Sequence, residues 1–253
     1  MDSHGIKLAQ NPLSCLYFGD MTRLIFYDTE TTGVRPDRDR IIEIAAFDAT
    51  TNKTFCSFVQ PQVPIPPESS AICNITDEMV KDAPLFKEVA LNFMEFCHGD
   101  VILVAHNNDA FDKLFLEEEF KRAGVELPSF RYIDSLKWAR KYRKDLPRHG
   151  LQYLREAYGI EANQAHRALD DVMVLARIFM LMIDDLTVSD VMERLLAPQD
   201  VSTMPFGKHR GTPLERLPKN YVEWLASSGA LEKPDNSTLK KALSVHFQEL
   251  VSI

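Results

Sequence analysis

Hydrophobic and polar positions along this chain switch repeatedly between two periods. Residues 22–28, 41–48 and 54–59 carry apolar, β-branched and aromatic residues in short runs, and they read as three strands with Asn52 and Lys53 as the turn between the last two. Pro61, Pro64, Pro66 and Pro67 mark a loop, and Thr76-Asp77-Glu78 reads as a short helix start. Residues 85–97 show helical periodicity, broken by His98-Gly99-Asp100. Residues 101–105 form a continuous apolar run, the pattern of a strand buried on both faces. Asp109 reads as the N-cap of a helix running to about Ala123 and stopped by Gly124 and Pro128. Residues 132–134 suggest a short strand, followed by helices at about 136–143, 151–158 and 169–184.

Strands first, then alternating helix and strand, predict an α/β domain with a mixed sheet flanked by helices. The expected organisation is an N-terminal extension over 1–20, with Met21 as an alternative start, and a main domain over 21–185. A weakly helical linker over 186–203, interrupted by Pro198, then leads to a small module over 204–253. About fifty residues is near the lower limit for a free-standing domain.

Composition narrows the class. At 253 residues, 45% hydrophobic and 26% charged, the chain can bury a sizeable core. Its net charge of -8 argues against a nonspecific nucleic-acid coat but leaves room for one local groove that handles nucleic acid. Cys15, Cys56, Cys73 and Cys97 form no CxxC pair, which disfavours a zinc site and suggests buried free thiols in a reducing, cytoplasmic setting. No apolar run has the length of a membrane span, and the first twenty residues lack the apolar core of a signal peptide.

The chemistry is concentrated at Asp28 and Glu30. Two positions apart on a strand, they face the same side, and two carboxylates held so close need a cation or a proton between them. Two further acids complete a candidate set: Asp112, shortly after the buried strand, and Asp171. His166 lies five residues before Asp171, roughly 140° around a helix, so it must sit in the preceding loop to fold over the same point. Hard oxygen ligands suit Mg2+ or Mn2+. Two such ions, about 3.5–4 Å apart, can clamp a phosphodiester, activate water and stabilise the leaving oxygen. A histidine titrating near neutrality can take the water's proton.

Asp28-Thr29-Glu30-Thr31-Thr32-Gly33, then His106-Asn107 with Phe111-Asp112, then His166 and Asp171, resemble in order the three motifs of the DEDDh exonucleases, over residues 22 to about 184. That family includes the proofreading epsilon subunit of bacterial DNA polymerase III and exodeoxyribonuclease X. The resemblance implies a ribonuclease H-like fold and 3′-to-5′ hydrolysis releasing nucleoside 5′-monophosphates. It implies Asp28, Glu30 and Asp171 as metal ligands, Asp112 on the second ion directly or through water, and His166 as general base. It places Thr31, Thr32, Gly33, Asn107 and Glu68 near the substrate end. Cys73 stands where epsilon-like members carry a histidine, which bears on substrate grip rather than on metal chemistry.

Among competitors for these roles, Asp109 is assigned to the helix cap, Asp170 loses to Asp171 by spacing from His166, and His106 is assigned to shaping its loop. The cations from Arg131 to Arg155, interrupted by Asp134 and Asp145, form a locally basic stretch that either coats a solvated face or tracks phosphates. Trp138 and Trp224 are expected in the core. From Met204-Pro205-Phe206-Gly207-Lys208-His209-Arg210-Gly211 onward the tail resembles the module that follows the nuclease domain in exodeoxyribonuclease X-like proteins, with Lys208, His209 and Arg210 as a second candidate DNA contact. The expected partner is therefore a DNA 3′ end, single-stranded or frayed, in repair or proofreading, with a DNA polymerase or repair protein as a further partner. The alternatives are an exoribonuclease and a noncatalytic, polymerase-tethered end-binding subunit.

Overall fold

The strands form where the apolar runs lie, and the sheet order follows from their pairing. A computed structural model describes residues 22–161, 167–197, 201–233 and 236–251, and the chain divides into two compact units, residues 1–195 and 196–253. In the first unit β1 (Arg23–Thr31), β2 (Ile41–Asp48), β3 (Lys53–Phe58), β4 (Val101–Ala105) and β5 (Arg131–Asp134) build one mixed sheet in the order β3-β2-β1-β4-β5. β1 is central, antiparallel to β2 and parallel to β4. The α/β, ribonuclease H-like architecture expected from the sequence is the one observed.

Alternation along β1 separates two cores. Ile25 and Tyr27 face a core shared with α3 (Phe86–Phe96) and α4 (Asp112–Ala123). Leu24 and Phe26 face the other core, under α7 (Ala168–Ile183). α1 (Pro67–Cys73) and α2 (Asp77–Val80) precede α3 in the chain, and α5 (Ser135–Tyr142) and α6 (Leu151–Ala157) lie between α4 and α7. All eight residues of β2 are buried, including Glu43 and Asp48.

Several expectations are corrected. The proline-rich loop contains α1, because Pro67 occupies the first helical turn, where a missing N–H costs nothing. Asp109 is not a helix cap: it lies in a 3-10 turn at Asn108–Ala110, its carboxylate pairs with Lys137, and α4 starts only at Asp112. The stretch expected as a weakly helical linker holds α8 (Val188–Leu196), whose Val191 is fully buried in the core under α7. Cys73 and Cys97 are buried free thiols, but Cys56 is exposed; Cys15 lies outside the described residues.

The second unit has a core of its own, built from Met204, Leu214, Leu217, Val222, Leu225, Leu231, Leu239, Leu243 and Val251. It contains α9 (Lys219–Ser227) and α10 (Ser237–His246). Trp138 is buried as expected, whereas Trp224 is 57% exposed, since the apolar face of α9 is supplied by Val222 and Leu225 instead. Among the described residues no helix is long and apolar enough to cross a membrane.

Candidate active site

Beyond Phe26 the face of β1 that packs under α7 changes from apolar to acidic. Asp28 and Glu30 continue the Leu24–Phe26 row to the point where α7 begins, and Asp171, in the first turn of α7, completes the group. One carboxylate oxygen from each of Asp28, Glu30 and Asp171 lies within 4.8 Å of the others. A register shift follows directly between Glu30 and Thr31, a bulge that ends the regular pairing of β1 with β2 beside the cluster.

Asp112, the first residue of α4, is tied to β1 through Thr29. Its Oδ1 accepts hydrogen bonds from the Thr29 backbone N–H at 3.0 Å and from Thr29 Oγ1 at 2.8 Å. Asp112 is not one of the tight group of three, yet its charge bears on Asp28 more strongly than those of Glu30 and Asp171 do.

This crowding shows in the proton affinities. Burial, then the charges of Asp112, Glu30 and Asp171, hold the Asp28 carboxyl well above the usual range. Glu30 is pushed up to about 8 by burial, then by Asp171 and Glu43, with Arg167 opposing. Burial raises Asp112 to about 7 against the lowering effect of its bonds from Thr29. Partly buried hard-oxygen donors with too few neighbouring cations form a donor set that fits divalent Mg2+ or Mn2+.

Two further contacts orient the cluster, and the motifs did not point to either. Gln152, in the first turn of α6, donates from Nε2 to Asp171 Oδ1 at 2.9 Å, and Arg155 Nε donates to Gln152 Oε1 at 2.8 Å. Glu43 is paired in register with Glu30 on β2. It accepts from Arg167 Nη2 at 3.1 Å and from the Ala168 backbone N–H at 3.1 Å, anchoring the start of α7. Gln152 is an uncharged residue in a helix start, and Glu43 sits within an apolar strand, so neither resembles a ligand in sequence. The one signal for Glu43 is a charge at a fully buried strand position.

The cluster opens into a cavity of about 490 Å³. Thr29, Thr31, Gly33, Val34, Ser69, Ile72, Cys73, His106, Phe111, Leu151, Gln152 and Tyr153 line it together with the acids. Gly33 has a structural reason to be glycine, since a Cβ there would lie 2.3 Å from Asp39 Oδ2. Thr31 Oγ1 donates to the Gly33 carbonyl. Thr32 is off the cavity wall; its hydroxyl accepts from the Arg40 N–H at 2.9 Å and its carbonyl from Ser69 Oγ at 2.7 Å. Asn107 is also off the wall, in a left-handed conformation with φ 70°, its N–H donating to Asp134. Glu68 is exposed, one helical turn before Ile72. Cys73 is on the wall but buried, its Sγ bonded to the Ser69 carbonyl.

His106 shapes its loop as expected, with Nδ1 2.9 Å from Ser135 Oγ. Burial lowers its pKa to about 4, against the opposing charge of Asp134, so it stands as a neutral wall residue. His166 lies outside the described residues, which resume at Arg167. Much of the basic stretch is internally engaged: Arg131 with Asp100, Lys137 with Asp109, Arg143 with Asp145.

Residues 25–179 match the family model of the RNase T type described as Exonuclease. Residues 193–250 match a second family, "Putative quorum-sensing-regulated virulence factor". The chain is 35% identical over 191 residues to DNA polymerase III PolC-type of Caldanaerobacter subterraneus subsp. tengcongensis, and 35% over 185 residues to that of Staphylococcus aureus. Each match covers 72% of this chain but only 13% of the relative, so the chain corresponds to a small segment of those polymerases. Among solved structures, Exonuclease X in complex with 5′ overhanging duplex DNA superposes with a TM-score of 0.54 at 24% identity, over 68% of this chain and 99% of that one. E. coli Exonuclease I in complex with a dA16 oligonucleotide superposes with a TM-score of 0.55 at 20% identity, over 68% and 45%. At these identities the likenesses establish the shared fold.

Proposed function

Since this chain belongs to the DEDDh 3′-to-5′ exonuclease family, we propose that it hydrolyses DNA from the 3′ end and releases nucleoside 5′-monophosphates. The observation that carries this reading is the convergence of Asp28, Glu30 and Asp171 at one wall of an open cavity, with Asp112 bonded to the intervening Thr29. Asp28, Glu30 and Asp171 would hold divalent metal, with Asp112 serving a second ion. Bound there, Mg2+ or Mn2+ supplies Lewis-acid activation of water and neutralises charge at the scissile phosphate.

The chain's own residues supply the rest. Gln152 keeps Asp171 Oδ1 aimed at the cluster, and Glu43 holds Arg167 and the start of α7. Both contacts pre-position the carboxylates rather than touch the substrate. Val34 and Ile72, 76% and 58% exposed, offer apolar surface at the cavity for a terminal base, with Phe111 on the wall. Thr31 and Gly33 present backbone beside the same space, and Asn107 and Glu68 serve the substrate end from just outside it. His166 is the general base of this reading, taking the proton of the attacking water. DNA as the polymer is supported by the nucleic acids named with Exonuclease X and Exonuclease I. The match to a segment of PolC-type polymerases supports proofreading beside a DNA polymerase as the pathway, and repair is the other pathway this chemistry serves. A cytoplasmic location fits either.

The test is incubation with Mg2+ and 5′-labelled single-stranded DNA, duplex DNA and RNA. A descending ladder on DNA that vanishes in Asp28→Ala supports the proposal. A ladder on RNA alone would reassign the polymer, and no ladder with Mg2+ or Mn2+ would refute the activity.

A further inference from the structure

The second unit carries an aromatic ladder that runs from Tyr221, packed against the core, out to the exposed Trp224. The ring centroids of His209 and Tyr221 are 4.4 Å apart, and those of Tyr221 and Trp224 are 5.7 Å apart with planes inclined by 25°, a stacked pair. Trp224 is 57% exposed. A buried tryptophan brings more apolar surface to a core than most other side chains. A small domain that leaves one open while filling its core with Leu, Val and Met has not placed it there for stability.

The ladder is built by a specific loop. Met204 to Thr212 closes on itself through Gly211 N–H to the Met204 carbonyl at 2.8 Å, Met204 N–H to the Thr212 carbonyl at 2.8 Å and Arg210 N–H to the Gly207 carbonyl at 3.1 Å. Gly207 has φ 71°, and a Cβ on it would lie 2.9 Å from the Tyr221 hydroxyl oxygen. The loop is therefore seated on Tyr221 at a distance only glycine permits, and this seating lays the His209 ring against Tyr221. Lys208 and Arg210 flank His209 and are exposed, and Lys219 opens α9; none has an ion-pair partner among the described residues. From residue 204 onward the chain has seven Lys and Arg against five Asp and Glu, in a protein whose net charge is -8.

We infer that this face binds single-stranded nucleic acid: a base stacks on the open side of Trp224 and extends the Tyr221 ladder, while Lys208, Arg210 and Lys219 meet the phosphates. Rings in a row with unpaired cations beside them are the chemistry of strand binding without base readout, because every base has a π-face and every nucleotide a phosphate. A protein partner for the same rings is the competing occupant. The free cations on an otherwise acidic chain favour a polyanion. The inference goes beyond the hydrolytic reading and stands without it, since it rests on residues of the second unit alone.

The test uses the full chain in EDTA with covalently closed single-stranded circles of DNA and of RNA, which offer no 3′ end. Trp138 is buried, so quenching of the red edge of tryptophan emission reports on Trp224. Saturable quenching by either circle is expected, and the circle that gives it identifies the polymer. Trp224→Ala should weaken circle binding, followed by anisotropy of a labelled circle, about tenfold, the effect of one lost stacking contact. Trp224→Phe should retain most of the affinity while losing the quench. A Lys208→Glu/Arg210→Glu double variant should weaken binding and flatten its salt dependence. Absence of quenching by both circles would overturn the inference, as would equal affinity in Trp224→Ala and in the double variant. A protein that binds circles but cleaves nothing would refute the exonuclease reading and leave this one standing.

Discussion

Gln152 reaches across from the first turn of α6 to donate its Nε2 hydrogen to Asp171 Oδ1 at 2.9 Å, and Arg155 in turn holds the Gln152 carbonyl oxygen. A metal-binding carboxylate on a helix is thus aimed by a neutral side chain on its neighbour. Replacing Gln152 with Leu should leave the fold intact and lower metal affinity or turnover by roughly 10–100-fold, the usual cost of losing a partner that orients a ligand. Gln152→Glu should be worse, because it adds a fourth negative group. Titration of the exonuclease rate with Mg2+ separates the two variants, and equal curves for wild type and Gln152→Leu would remove Gln152 from this role.

Glu43 is a buried carboxylate with two partners at the start of α7, Arg167 and the Ala168 backbone N–H. Glu43→Leu leaves both donors unmatched and should destabilise the protein by about 2–3 kcal/mol. Urea unfolding gives the difference directly. Because His166 directly precedes Arg167, turnover should fall by more than metal affinity does; a loss of stability with unchanged turnover would make the contact purely structural.

The acidic cluster works against the fold when no cation is present. Asp28→Asn should abolish nuclease activity yet stabilise the metal-free protein by about 1–2 kcal/mol, because a neutral amide replaces a buried carboxyl whose charged form is opposed by burial and by Asp112, Glu30 and Asp171. Thermal melting in EDTA checks this, and a lower Tm for Asp28→Asn than for wild type would contradict it.

The same cluster sets the pH dependence. Glu30 and Asp112 keep their protons to about 8 and 7 in the folded chain, whereas the unfolded chain releases them near roughly 4. Folded-state values above the unfolded ones mean that this stability is complete below about pH 4 and is lost as pH rises toward 8. His106 acts in the opposite sense. Its folded value of about 4 lies below the unfolded value of roughly 6.5, so its contribution is present at neutral pH and lost as pH falls from about 6.5 toward 4. In EDTA the Tm should therefore decline from pH 6.5 to 8.5, and saturating Mg2+ should flatten that limb by replacing the protons. His106→Gln should reduce the loss on the acid side. A metal-free Tm that climbs between pH 6.5 and 8.5 would refute the assignment.

Gly207 seats its loop on Tyr221. Gly207→Ala meets both a positive φ and a Cβ 2.9 Å from the Tyr221 oxygen, so it should cost about 1–2 kcal/mol and displace His209 from the ladder. Hydrogen exchange at the Gly211 N–H, bonded to the Met204 carbonyl, should accelerate while the amides of α7 remain unchanged.

Local pattern was enough to locate β2 and β4, because a run of apolar residues bounded by polar breaks has few ways to be buried. It was also enough to pair Asp28 with Glu30, because the period of a strand is a property of the backbone alone. The carboxylates of the remaining motifs were legible as residue types at the right distances along the chain. Which of them share one point was a tertiary matter: Asp171 joins Asp28 and Glu30 because α7 packs under β1, while Asp112 is held by Thr29. The contact of Gln152 with Asp171, that of Glu43 with Arg167 and the seat of Gly207 on Tyr221 could not be read from the chain, since each is defined by a neighbour remote in sequence. Asp109 and Trp224 were misplaced for the same reason. Cap-forming and core-forming tendencies are averages over contexts, whereas the partner of Asp109 is Lys137 on a different helix and the core of the second unit closes without Trp224.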